Sequence, residues 1–219
     1  MSLLKRLRLK LADRKEQRDR ARAKYRRTGR DGKVARRHQR AVRKLLRLIS
    51  KIKRSRRATS SKGVAFVKSF EGFSARPVNI GDGVLTYGYG HTEPLGSKVP
   101  SSIMEPQAAK LLAKDLARDY EPAVRKLFEK GGPLHGLFAP WRFDALVSVA
   151  YNLGVGAVLP YPHSGFETLG AAIQSGSLKR IADALPLYCN PGSQFEEGLR
   201  RRRRCEARLL LTGNYSTTI

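Results

Sequence analysis

The sequence predicts an α+β domain of two unequal lobes, mostly helical with a small β-hairpin sheet, preceded by a basic α-helical hairpin. Three observations lead there. Charge divides the chain sharply: residues 1–62 carry 26 Lys and Arg against four acids, a net of +22, while residues 63–219 carry 18 against 14, a net of +4. Glycine-rich turns flank one alternating stretch near residue 85. From Met104 onward, apolar residues recur at helical spacing. A composition break of that size marks a domain boundary, so residues 1–60 read as one unit and 61–219 as another.

Residues 3–27 form a charged helix that breaks at Thr28-Gly29-Arg30-Asp31-Gly32, and a second helix resumes near Val34. Val42, Leu45, Ile49 and Ile52 follow the spacing of one helix face, and Leu4, Leu7 and Leu11 supply the partner stripe of an antiparallel pair. That stripe fades after Leu11. Ala58-Thr59-Ser60-Ser61 reads as a short linker that also supplies a helix N-cap. Val64, Phe66, Val67 and Phe70 then give a compact helix ending at Glu71, with Gly72 placed to terminate it. Leu85, Tyr87 and Tyr89 alternate as one strand of the hairpin. Helices follow over Gln107–Asp119 and Pro140–Leu153, the latter apolar nearly all round and therefore buried centrally. Two more cover Glu167–Ser175 and Leu178–Leu185, the second stopped by Pro186, and the last runs from about Gly198 to Leu211.

Several chemistries are excluded. Cys189 and Cys205 are too few for a disulfide framework and fit a reducing cytoplasm. No apolar run of about 18 residues is present to span a bilayer, and the stretch Leu3–Leu11 is too interrupted by charge for a signal sequence. His38, His91, His135 and His163 lack zinc-ligand spacing, and neither a phosphate-binding loop nor a Gly-x-Ser-x-Gly elbow occurs. No metal and no cofactor are expected.

The chemistry concentrates between Glu71 and Thr92. A glutamate after an apolar run is partly desolvated, and at a helix C-terminus it meets the negative end of the dipole. Both effects favour the protonated carboxyl that a general acid needs. Asp82, in Asn79-Ile80-Gly81-Asp82-Gly83, offers a second carboxylate on a loop that glycines allow to bend. Thr86, on the following strand, carries a hydroxyl able to donate and accept. Two carboxyls flanking a bond, with a group to hold water, are the equipment of glycoside hydrolysis. Each residue also has a plainer reading: Glu71 a surface residue, Asp82 an ordinary turn aspartate, Thr86 a β-branched strand residue.

Glu71 and Thr86 lie fifteen positions apart, followed by Tyr87-Gly88-Tyr89-Gly90-His91-Thr92. With Phe143 through Asn152-Leu153-Gly154, and Gly198-Leu199 before Arg202-Arg203 and Glu206, this pattern resembles the phage-type lysozymes of glycoside hydrolase family 24 over about residues 61–215. The resemblance implies a lysozyme-like two-lobed fold and a muramidase that cleaves the β-1,4 bond between N-acetylmuramic acid and N-acetylglucosamine with inversion. It also implies catalysis by Glu71 as acid, with Thr86 holding the water. The family's aspartate falls at Ile80 here, so Asp82 stands in two positions later, as base or electrostatic stabiliser. Alternatively Glu71 works with Thr86 alone, or Asn79 orients the water, as in a one-carboxylate lytic transglycosylase. Tyr87, Tyr89, His91 and Asn152 are candidate sugar contacts; aromatic hairpin packing and helix capping are the competing readings. Arg202 and Arg203 stand four and three residues before Glu206, the spacing of helix-surface ion pairs. A non-catalytic binding protein on the same scaffold is the further alternative.

A +22 hairpin seeks polyanions. Tyr25 is its single aromatic, which argues against base stacking. The expected partners are peptidoglycan for the larger unit, and anionic wall polymers or a membrane surface for residues 1–60, with nonspecific nucleic-acid binding as the alternative. The chain is expected to act as a monomer, in the host cytoplasm until a holin opens the membrane.

Overall fold

The structure, a computed structural model, describes residues 3–28, 32–55, 57–79, 81, 83–162 and 164–218, with the backbone alone for 50–55. The chain divides into two compact units, Met1–Arg57 and Ala58–Ile219. In the first, α1 (Leu3–Thr28) and α2 (Gly32–Ser55) form the helix pair. Leu4 and Leu7 bury against Ile49, with Leu11 and Leu45 packed alongside. Beyond Leu11 the seam keeps Ala35 and Val42 buried and is flanked by exposed polar contacts: Arg14 Nη1 lies 3.5 Å from His38 Nδ1, and Arg22 Nη2 donates to Gln39 Oε1 at 3.5 Å. The side chain of Ile52 and residues Gly29, Arg30 and Asp31 of the turn lie outside the described residues.

The second unit begins where the sequence suggested a linker, and there the chain is tied down. Thr59 N donates to Glu121 Oε1 at 2.8 Å, and Ser60 N donates to Asp144 Oδ1 at 2.9 Å. The Ser60 hydroxyl accepts from Gly63 N and caps α3 (Ser61–Lys68). The helix is shorter than the sequence implied. It ends at Lys68, and Glu71 sits in a following turn closed by Phe70 N to Val67 O and Glu71 N to Lys68 O.

A three-stranded antiparallel sheet follows, one strand more than a hairpin: β1 (Ser74–Val78), β2 (Val84–Gly88) and β3 (His91–Pro94), in that order. The pairs Val78–Thr86 and Thr86–Thr92 set the register. Tyr89, expected within a strand, occupies the β2–β3 turn between Gly88 (φ 66°) and Gly90 (φ 91°). Gly90 is required twice over, by its left-handed backbone and because a Cβ would come within 2.9 Å of the Tyr151 hydroxyl.

The helical lobe comprises α4 (Glu105–Asp115), α5 (Glu121–Leu127), α6 (Pro140–Leu153), α7 (Glu167–Gln174), α8 (Leu178–Ala184) and α9 (Glu196–Thr212). One π turn, Leu116–Tyr120, carries α4 into α5, so the helix read as Gln107–Asp119 changes hydrogen-bond pattern before its end. α6 is the centre of the core: Phe143, Ala145, Leu146, Val147, Val149 and Ala150 are all buried. Beyond Arg142 in its first turn, Asp144, Ser148 and Asn152 recur every four positions, on one face. Asp144 accepts from Ser60 and, at 2.5 Å, from the Tyr215 hydroxyl, tying the start of the unit to its C-terminal tail. Burial pushes the Asp144 carboxyl above its ordinary range against those hydrogen bonds, and burial with the Asp144 bond pushes Tyr215 up to about 12.

Candidate active site

Glu71 reaches its position because the turn after α3 carries it toward α9. Arg202 Nη1 donates to Glu71 Oε1 at 2.7 Å, and the Glu71 side chain retains only 21% exposure. A guanidinium only donates, so Oε1 faces it as acceptor and Oε2 is the oxygen it leaves free. Arg202 is fixed from behind. Its Nε donates to Glu206 Oε1 at 3.1 Å, and Ser148 Oγ donates to the same oxygen at 2.6 Å. Arg203 Nη2 donates to Asn152 Oδ1 at 2.6 Å, and its Nε lies 3.1 Å from Glu206 Oε2, an ion-pair distance off the hydrogen-bond line.

These residues overturn the helix-surface reading of the Arg202, Arg203 and Glu206 ion pairs. The side chains of Arg202, Arg203 and Glu206 are 4%, 0% and 0% exposed. Burial lowers the Arg203 pKa from its ordinary value, while Glu206 opposes that shift. The polar face of α6 is what receives the set: Ser148 meets Glu206 and Asn152 meets Arg203. Arg200 pairs with Glu196 near the surface, as i,i+4 spacing implies.

Glu71, Asn152 and Arg202 wall a pocket of about 300 Å³, together with Phe70, Phe195 and Leu199. A wider groove of about 820 Å³ adjoins it, bounded by Ser69, Glu197, Arg200 and Arg204, with Arg201 lining both. Glu71 and Asn152 are thus brought together. Thr86 sits at the middle of the sheet, half-buried on β2, two residues before Gly88, which pairs with Ser74 just after Glu71. Asp82 and Ile80 lie outside the described residues.

Tyr87, Tyr89 and His91 are 6%, 4% and 7% exposed, which leaves their rings little surface for a sugar. Tyr89 donates to Glu105 Oε1 at 2.7 Å, and its carbonyl accepts from the Tyr151 hydroxyl. His91 stands between Asp115 Oδ2 at 2.7 Å and Glu93 Oε1 at 3.2 Å, with the Tyr87 ring edge-on at 5.1 Å. Burial raises the pKa of Tyr87 and of Tyr89. These bonds lock the β2–β3 turn onto α4 and α6. Among the described residues no cluster of His, Cys, Asp or Glu could hold a metal ion, and no helix is long and apolar enough to cross a membrane.

Known proteins resemble this chain in sequence and fold. The chain is 31% identical over 157 residues to an endolysin of Bacillus phage B103, covering 70% of this chain and 54% of that protein; it thus spans about half the length of the curated relatives it matches. The muramidase domain of SpmX from Asticaccaulis excentricus superposes with a TM-score of 0.54 at 29% identity, over 70% of this chain and 97% of that domain. An endolysin from Escherichia coli O157:H7 phage FAHEc1 does so with 0.54 at 27%, over 72% and 95%. Residues 68–206, which run from the end of α3 through the Arg202–Glu206 set, match the phage lysozyme family over more than half of the sequence, and the chain belongs to that family.

Proposed function

We propose that this chain is an endolysin that hydrolyses the β-1,4 bond between N-acetylmuramic acid and N-acetylglucosamine in peptidoglycan, with inversion. The observation that carries the reading is the Glu71–Arg202 pair on the wall of an open pocket, backed by Glu206 and Ser148. A catalytic acid must be held in place while its free oxygen reaches the leaving group. Arg202 holds Oε1, and Oε2 delivers the proton to the glycosidic oxygen. Arg202 then stabilises the carboxylate left behind.

Asp82 is the second carboxylate of the proposal, activating water or stabilising the oxocarbenium charge, and Thr86 positions that water. The Asn152 amide, its oxygen taken by Arg203, presents its NH₂ to the sugar. Tyr87, Tyr89 and His91 brace the turn instead of stacking on substrate. The groove continuing from the pocket suits an extended polymer, and the names endolysin and muramidase borne by relatives support the same reading. Residues 1–57 dock on anionic envelope polymers, and a holin gives access to the wall. No cofactor takes part.

The test is turnover of purified peptidoglycan by Glu71→Gln. Gln keeps an acceptor for Arg202 but has no acidic proton, so activity falls by about 10²–10⁴-fold while the circular dichroism spectrum is unchanged. Activity within about threefold of the unsubstituted chain removes Glu71 from the mechanism.

A further inference from the structure

The first unit carries charge that its own fold does not neutralise, and that charge is arranged in a line. α2 contains no Asp or Glu. At about 100° and 1.5 Å per residue, its seven basic residues from Lys33 to Arg47 occupy about one third of the helix circumference over a rise of about 21 Å. That face lies diametrically opposite the buried seam of Ala35, Val42 and Ile49. All seven are exposed, and among the described residues none has an acidic partner. α1 differs: Arg18 pairs with Asp19 at 2.7 Å, Arg20 pairs with Glu16 at 2.5 Å, and Asp13 is engaged by Gln17.

A cation about every 3.5 Å along one ridge repels its neighbours at i,i+3 and i,i+4, so a bound polyanion relieves a strain built into the free helix. Guanidinium groups bind phosphate oxygens two at a time, and five of the seven are arginines. The ridge itself is wholly cationic, with exposed Leu46 and Leu48 beside it, and it has no aromatic to stack on bases. We infer that the outer face of α2 is a binding site for a phosphodiester polymer of the bacterial cell wall, holding the larger unit at its substrate. The choice of a wall polymer rests on the proposed function; the phosphodiester chemistry rests on α2 alone.

The test uses the full chain carrying Glu71→Gln, so that walls survive the assay. Its probes are purified walls bearing phosphodiester polymer and the same walls stripped with hydrofluoric acid. Intact walls are expected to bind at least about tenfold more tightly than stripped walls, with affinity falling steeply as salt rises. Arg36→Gln, Arg40→Gln, Arg43→Gln and Arg47→Gln together cost at least about tenfold on intact walls. The same number of charges removed from α1 (Arg8, Lys10, Lys15 and Arg26, each to Gln) costs no more than about threefold. Equal binding to stripped walls, or an equal loss from the α1 set, overturns the site. Tighter binding to duplex DNA or to phosphatidylglycerol vesicles than to walls overturns the choice of partner. Should the α2 variant lose helicity, the intact-against-stripped comparison decides alone. Turnover of soluble glycan strands by the unsubstituted chain reports on cleavage separately.

Discussion

Glu206 is the residue whose loss should be felt furthest. It is fully buried, and it is the carboxylate shared by two guanidiniums whose side chains are 4% and 0% exposed. In Glu206→Gln the volume and the bond from Ser148 survive, but Arg202 keeps Glu71 alone and the buried Arg203 loses the carboxylate it faces. Breaking a buried pair by neutralising one member costs about 3–5 kcal/mol. For a unit of this size each kcal/mol lowers the melting temperature by about 2–4 °C, so residues 58–219 should melt roughly 6–20 °C lower. Activity should fall as well, because Arg202 is no longer held from behind where it meets Glu71. Replacing the set with apolar residues, Arg202→Met, Arg203→Met and Glu206→Leu, should restore most of the stability and none of the activity. Differential scanning calorimetry with a peptidoglycan turnover assay checks both. A Glu206→Gln melting point within about 2 °C of the unsubstituted chain refutes the reasoning.

Other outcomes follow from the same geometry. In Gly63→Ala the new Cβ would lie 2.4 Å from Asp144 Cγ and 2.6 Å from its Oδ1, so overpacking of about 1–3 kcal/mol should lower the midpoint of chemical unfolding; an unchanged midpoint contradicts the tight α3–α6 approach. Asp144 has a folded pKa raised above its ordinary 3.8 by burial. Its contribution is therefore fully present below 3.8 and lost as pH rises through the folded value. A urea series across that window should show a downward slope with rising pH that Asp144→Asn flattens; parallel slopes in the two proteins rule the linkage out. Thr86→Val should lower turnover by about tenfold or more with little change in melting temperature, and unchanged turnover excludes Thr86 from water positioning.

Much of this was legible in the chain. The boundaries of α6, α7 and α8 follow from Pro140, from the apolar spacing after Glu167, and from Pro186, because local signals and tertiary packing agree there. Ser60 reads as a cap and is one. The strand β1 was not visible: Ser74–Val78 is short, carries Arg76 and Pro77, and gains its strand character from pairing with β2. The π turn at Leu116–Tyr120 is equally silent, since apolar spacing does not distinguish the two hydrogen-bond patterns. The largest gap concerned Arg202, Arg203 and Glu206. Spacing of three and four describes a surface ion pair and a buried one alike, and only packing of α9 on α6 separates them. A signal was nonetheless present: Asp144, Ser148 and Asn152 recur every four residues on a mainly apolar helix, and polar groups inside a core require polar partners. Likewise the alternation of Tyr87 and Tyr89 indicated aromatic packing without showing that Tyr89 sits in a turn.

The central claim is that Glu71 protonates a muramic acid glycoside so that water completes the cleavage. End-group analysis of a peptidoglycan digest by mass spectrometry tests it most directly. New reducing ends are expected on N-acetylmuramic acid, one for each bond cut, and none in a parallel digest with Glu71→Gln. Products ending in 1,6-anhydromuramic acid, or reducing ends that appear on N-acetylglucosamine, would contradict it.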